Sequence, residues 1–186
     1  VEPTMVIADG KIVAQDGKLV VDLPTYEYPD HIKDSVHVKR AIKPSDFIVK
    51  IESQTTQVTA NVIEIIENSA RTKRTQIKLK VEADQTIVAD LDQDVIKLAC
   101  LDRHHKSGDI SVAFAHGFGL KKGAVASTVA HDSHNLLVMG TNDDDMAFAS
   151  NYLVELGGGM VVVENGKVLA EVPLPVAGLM SDQRAE

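Results

Sequence analysis

Two short stretches hold most of the side chains in this sequence that could do chemistry. One is His131-Asp132-Ser133-His134, and the other is "LDRHHKSGD", Leu101 to Asp109, with Arg103, His104 and His105 at its centre. A His-x-x-His pair can chelate a divalent ion, but a complete site takes three or four ligands. Read as part of a strand running through "GAVASTVAHDSHNLLVMG", successive side chains face opposite sides. His131 then shares a face with Ser133 and Asp132 with His134, which suits hydrogen-bonded pairs better than chelation. A Ser133 nucleophile served by histidine and aspartate is a second option. Triads draw their members from separate segments, however, and the Gly-x-Ser-x-Gly elbow is absent. The third option is a set of polar residues that end a strand and cap the neighbouring turns.

Arg103 and His104 close an apolar run, a position that suits an anion or a polar heterocycle. An exposed loop with chance histidines is the alternative. If the two stretches end neighbouring strands at one sheet edge, four histidines, an arginine and an aspartate converge there. The remaining candidates are weaker. "GFGLKKGA" (Gly117 to Ala124) lacks the spacing of either phosphate-binding glycine loop and reads as a hairpin or bulge. Asp143, Asp144 and Asp145 follow a good N-cap, so they read as helix electrostatics rather than a cation site. "ARTKRTQIKLK" (Ala70 to Lys80) has no interleaved aromatics and reads as a solvated strand face. The single Cys100 lies in an apolar run and reads as a small buried hydrophobe.

The elements that must position these residues follow from patterning. Asp9-Gly10 and Asp16-Gly17 separate short β-branched runs and suit type I′ turns, which predicts a three-stranded meander. Pro24 to Ser35 has two prolines and no periodicity and reads as a linker. "FIVKIE" (Phe47 to Glu52), Gln57 to Ile66 and Thr75 to Glu82 alternate with period two, as antiparallel strands with one wet face do. Asp94 to His105 fits either a buried strand or a short helix. Thr141 or Asn142 starts a helix whose Met146, Ala149, Leu153 and Leu156 recur at helical spacing, and Gly157 ends it. Asn165-Gly166 turns a last hairpin. The expected fold is α+β: a mostly antiparallel sheet with one or two packed helices, preceded by the short β-meander.

Composition narrows the function classes. The 186 residues are 44% apolar and 25% charged, as expected of one folded unit, or of one unit plus part of another. A formal net charge of −8 argues against a duplex-binding surface, so no nucleic-acid partner is expected. No apolar run approaches the roughly 20 residues of a membrane span, and no signal peptide is visible, so the expected setting is cytoplasmic with no membrane partner.

"DVIKLACLDRHHKSG", "GFGLKKGAVASTVAHDSHNLLVMGTNDDDM" and "GGGMVVVENGKVLAEVPLPVAGLMSD" together resemble the C-terminal part of the adenine deaminases of the amidohydrolase superfamily. The opening "VIADGKIVAQDGKLV" resembles the β-sandwich strands that follow the barrel in that family. The resemblance implies residues 1–40 as sandwich strands plus linker and 41–186 as the C-terminal domain. It also implies a hydrolase that converts adenine to hypoxanthine and ammonia in purine salvage, at a divalent metal (manganese or iron). That metal is held in a (β/α)8 barrel for which 186 residues leave no room, since a barrel takes about 250. The chain is thus expected to be a piece beginning after the barrel, inactive alone, with no metal ligands and no bound cofactor of its own. Adenine, the catalytic barrel of the same enzyme and a further copy in a homo-oligomer are the implied partners. On this reading His131, Asp132 and His134 are the candidate catalytic residues at the pocket edge, and Arg103, His104 and Ser133 the candidate substrate contacts. The alternative is a structural or dimerisation domain with no part in the chemistry.

Overall fold

The computed structural model describes residues 3–22 and 26–183. Its first three strands are set by the two Asp-Gly pairs. Asp9 and Gly10 have φ of 50° and 74°, and Asp16 and Gly17 of 50° and 73°, the two positive values that a type I′ turn requires. They join β1 (Met5–Ala8), β2 (Lys11–Gln15) and β3 (Lys18–Leu19) into an antiparallel ribbon. This ribbon shares no strand pairing with the rest of the described residues.

Part of the expected linker, Pro24 and Thr25, lies outside the described residues. The remainder includes a single helical turn, α1 (Asp30–Lys33). It docks on the C-terminal segment through Ala177 N–H donating to the Ile32 carbonyl at 2.7 Å and a Lys33–Asp182 ion pair at 2.7 Å. The strand expected over Phe47 to Glu52 is mostly a different structure. Pro44 starts a one-turn 3-10 helix (Pro44–Phe47), leaving the two-residue β4 (Val49–Lys50) to pair with β7 (Thr86–Ile87). Proline at the first helical position is preorganised for that turn.

The main body is an eight-stranded sheet. In chain order its strands are β5 (Gln57–Ile65), β6 (Thr72–Lys80), β8 (Val95–Leu101), β9 (Ile110–His116), β10 (Ala124–Ser127), β11 (Leu136–Gly140), β12 (Gly159–Glu164) and β13 (Lys167–Pro173). Their spatial order is β13-β12-β10-β11-β8-β9-β5-β6, and every pairing is antiparallel except β5 with β9. The segment that fitted either a strand or a helix is the buried central strand β8. The fold is thus α+β with a mostly antiparallel sheet. Edge strand β6 carries the basic cluster on its exposed positions, where lysines discourage edge-to-edge pairing.

One long helix, α2 (Asp143–Leu156), covers β10, β11 and β12. Asn142 is its N-cap, accepting the Asp145 N–H at 2.8 Å, and Gly157 closes it at φ 77°. Met146, Ala149 and Leu153 pack onto Ala124, Ala126, Ala99 and Val138. Small residues on the sheet side let the helix sit close: a Cβ on Gly140 would lie 2.4 Å from Met146 Cγ. The triple aspartate is divided among three surroundings. Asp143 pairs with the buried Lys97 at 2.7 Å, Asp144 faces solvent, and buried Asp145 accepts the Asn165 and Gly166 N–H groups of the β12–β13 turn.

The glycine loop between β9 and β10 is not a hairpin, because β8 and β11 lie between those two strands. It runs along one end of the sheet and is anchored where Gly119 N–H donates to Asp94 at 2.9 Å.

Candidate functional site

The two chemistry-bearing stretches meet. β8 and β11 are antiparallel neighbours with Leu101 opposite Leu136, so the end of "LDRHH" lies beside the start of "HNLLVMG" at one end of the sheet. His104 Nε2 is 3.1 Å from the Ser133 carbonyl, a contact in which the ring nitrogen is the donor. The fold thus brings His104 to the His131–His134 turn, while Arg103 turns inward instead of joining them.

His131 to His134 do not alternate along a strand. They form the turn joining β10 to β11, so the long strand expected over Gly123 to Gly140 is a hairpin. Ala130 and His134 have φ of 22° and 52°, left-handed values that no extended strand accommodates. His134 N–H returns to the Ala130 carbonyl at 2.9 Å and its ring Nδ1 donates to the Val129 carbonyl at 2.6 Å. The two imidazoles lie edge to face with centroids 5.9 Å apart. His131 Nδ1 sits 2.7 Å from an Asp132 carboxylate oxygen, and those side chains are 82% and 93% exposed. Ser133 is exposed, and its hydroxyl accepts from Asn135 N–H at 3.4 Å.

Arg103 does something spacing did not suggest. It is 1% exposed, and its guanidinium points into the protein. Nε donates to the His134 carbonyl at 2.5 Å and Nη1 to that of Ser35 at 2.9 Å. Nη2 donates to the carbonyls of Ala177 at 3.0 Å and Thr128 at 3.4 Å. Burial lowers its pKa from the ordinary value. No carboxylate faces it among those bonds, so a single cation ties the segment after α1, both ends of the β10–β11 turn and the C-terminal segment together. Gly178, at φ 70°, lies against the same guanidinium, and a Cβ there would stand 2.8 Å from Arg103 Nη1, so a larger residue would displace it.

Two supporting residues were not singled out from the sequence. Asp102 accepts N–H bonds from His104 at 3.0 Å, Ser107 at 3.0 Å and His105 at 3.2 Å, plus the Ser107 hydroxyl at 2.8 Å. These hold its carboxyl well below the usual carboxylate range and fold the His104-His105 loop around it. An aspartate preceding a Ser-Gly-containing loop is an Asx-turn signal that could have found it. Thr128, fully buried, donates from its hydroxyl to Gly178 O at 2.6 Å and accepts from Gly159 N–H at 2.8 Å. Nothing local in the sequence marks it.

Among the described residues no three His, Cys, Asp or Glu side chains come together in a way that could hold a metal. The group at this edge does not fit a metal centre of its own. It can display an exposed imidazole–carboxylate pair and a second histidine on a braced turn.

The class these features define is an α+β domain that presents polar loops from one end of a sheet. Residues 69–186 match the family described as the adenine deaminase C-terminal domain. The chain is 48% identical over 186 residues to an adenine deaminase of Clostridium botulinum (strain Loch Maree / Type A3), covering 100% of this chain and 31% of that protein. It is 48% identical over 181 residues to an adenine deaminase of Moorella thermoacetica, covering 97% and 30%. It is also 45% identical over 183 residues to adenine deaminase 3 of Rhizobium meliloti (strain 1021), covering 98% and 30%. The chain belongs to the adenine deaminase C-terminal domain family, and it spans about a third of the length of the curated relatives it matches. The family match begins at residue 69, between β5 and β6, although both strands belong to the same sheet.

Proposed function

We propose that this chain is the C-terminal part of an adenine deaminase, the enzyme that hydrolyses adenine to hypoxanthine and ammonia, and that its polar edge forms part of the rim of the substrate pocket. The observation that carries the reading is the contact between His104 and Ser133, which unites the two motifs in one exposed cluster. His131, Asp132 and His134 are the residues assigned to the rim, with His104 and Ser133 beside them as substrate contacts. Arg103 acts from behind, holding the turn by its carbonyls rather than touching substrate. The divalent metal of the reaction, manganese or iron, would be held by parts of the enzyme outside this chain. As an isolated piece the chain is inactive on this reading, and the complete protein is a cytoplasmic homo-oligomer.

His131 and Asp132 offer the cleanest test. Both side chains are almost fully exposed, and a surface pair of this kind contributes only about 0–1 kcal/mol to stability. Truncating them therefore separates chemistry from folding. In the complete deaminase, His131→Ala and Asp132→Ala should each lower kcat/KM for adenine at least about tenfold, close to 1.4 kcal/mol, with an unchanged Tm. Wild-type kinetics in both variants would overturn the assignment. A structural role is favoured for one residue by a specific observation: His134 spends its Nδ1 on the Val129 carbonyl. His134→Ala should accordingly lower Tm as well as activity.

A further inference from the structure

The sheet has two faces, and the described residues bury only one of them over β8 and β10 to β12. Burial along these strands alternates with period two: buried positions in β12 alternate with exposed ones, and in β10 and β11 with half-buried ones. Polarity does not alternate with it. The strand registers line up a row of Leu98, Met139, Val125 and Val162 across the face away from α2. A second row runs Cys100, Leu137, Ser127, Met160 and Val172. Met160 is 42% exposed, Val162 36% and Val172 52%, and the more central members are half-buried.

The other end of the same sheet shows what this protein does with a face left to water. There the corresponding side of β5 and β6 carries Asn61, Arg74 and Gln76, with Arg74 and Gln76 both bonded to the Asn61 side-chain oxygen. Apolar rows on one half and a polar ladder on the other mark the first half as a surface meant to be covered. The second row also leads directly into the polar edge: Cys100 lies two residues before Asp102, and Ser127 four before His131.

We infer that this half-face of the sheet docks against the remainder of the longer deaminase polypeptide. The inference rests on the reading above that this chain is one part of such an enzyme. More than two thirds of the relatives' length lies outside the stretch this chain matches, so an occupant of ample size exists in the same molecule. Area and charge disfavour a second copy. Taken over the exposed fractions of these side chains, the patch is on the order of 400 Å², short of the roughly 800 Å² each partner gives to a stable interface between separate molecules. Contacts between parts of one chain are smaller and do not carry the full entropic cost of association. Two copies would also each bring a net charge of −8. Docking here sets the His131–His134 turn and the His104 loop at the border of the covering part, where a pocket rim has to be.

Cys100 is a built-in reporter, since it lies on the second row and is partly exposed. Its alkylation by N-ethylmaleimide is followed by mass spectrometry of the 98–103 peptide, in the 186-residue chain and in the complete deaminase. Protection of about tenfold or more in the complete protein is expected, unchanged over a hundredfold dilution. Val162→Lys, at the margin of the patch, should leave the Tm of the 186-residue chain unchanged and abolish that protection in the complete protein. Equal labelling rates in the two proteins would overturn the inference. So would protection in the 186-residue chain that grows with its concentration, which would assign the face to a second copy. Adenine turnover is measured on the same complete protein. Protection without turnover rejects the deaminase reading alone, whereas turnover without protection rejects the docking alone.

Discussion

Replacing Arg103 by methionine tests the brace behind the polar edge. Arg103 donates to four carbonyls, three of them at 2.5, 2.9 and 3.0 Å and one at 3.4 Å. A hydrogen bond from a charged donor contributes about 1.5–3 kcal/mol, so three good ones would sum to about 4.5–9 kcal/mol if they were independent. They are not, because one cation makes all of them and its own desolvation costs several kcal/mol. Methionine also recovers much of the apolar packing of the arginine stem. The carbonyls left behind are those of a tight turn and two packed segments, and the first of them belongs to His134 itself. The net loss expected for Arg103→Met is about 3–5 kcal/mol, the range for removing one partner of a buried charged network. In a domain of this size that corresponds to a Tm lower by about 10 °C. Arg103→Lys keeps the charge, but a compact ammonium cannot serve carbonyls lying in different directions, and it should lose about half as much. Urea unfolding followed by circular dichroism gives both values. Arg103→Met within about 1 kcal/mol of the wild type would refute the brace, and the guanidinium would then be free for the ligand role that the sequence alone suggested.

Two further expectations follow from the same physics. Lys97 is buried with its ammonium on Asp143 at 2.7 and 2.8 Å and on the Phe47 carbonyl at 2.9 Å, whereas Asp143 is 24% exposed. Asp143→Ala strands a buried cation and should cost about 3 kcal/mol. Lys97→Met, which leaves a carboxylate able to rehydrate, should cost clearly less, and the double variant should recover most of the Asp143→Ala loss; equal single costs in urea melts would contradict this. The depressed pKa of Asp102 makes its contribution complete above the unfolded carboxylate value of about 4, with loss as the pH falls further. The stability advantage of wild type over Asp102→Asn should therefore be full near neutrality and narrow below about pH 4, and an advantage that widens with acid would reverse the sign of the argument.

What could be read from the chain and what could not divides by range. Asp9-Gly10, Asp16-Gly17 and Asn165-Gly166 all take the two positive φ values their residue types announce, because a two-residue turn is decided by its own residues. The same holds for α2, whose cap and stop are local. The β10–β11 turn escaped although Asp132, Ser133 and Asn135 are turn-forming types, because the apolar residues flanking it on both sides read as one continuous strand. The site residues themselves were legible as types, and so was their possible meeting. Arg103 as a brace was not, since the carbonyls it binds lie 25, 31, 68 and 74 residues away. The apolar half-face was written in plain sight: "VIKLACL", "LLVMG" and "MVVV" lack the alternation that a strand with one wet face carries.

The cost of the polar edge supports a functional rather than a merely connecting role for it. A hairpin between β10 and β11 needs only two residues with the right turn chemistry, as the β12–β13 hairpin shows with Asn165-Gly166. Here the connection runs from Thr128 to Asn135 and places non-glycine residues at positive φ. It also requires a buried guanidinium and a fully buried threonine to hold its base. The side chains displayed at its tip, His131 and Asp132, lie beside each other at 2.7 Å and stand in solvent, so they return almost nothing to the fold. A loop that is longer than its hairpin requires, strained, braced from within and tipped with an imidazole–carboxylate pair has stability and display assigned to different residues. That separation is what allows Arg103 variants to be read by melting and His131 or Asp132 variants by turnover. If the rim assignment holds, the two sets of variants should move different observables.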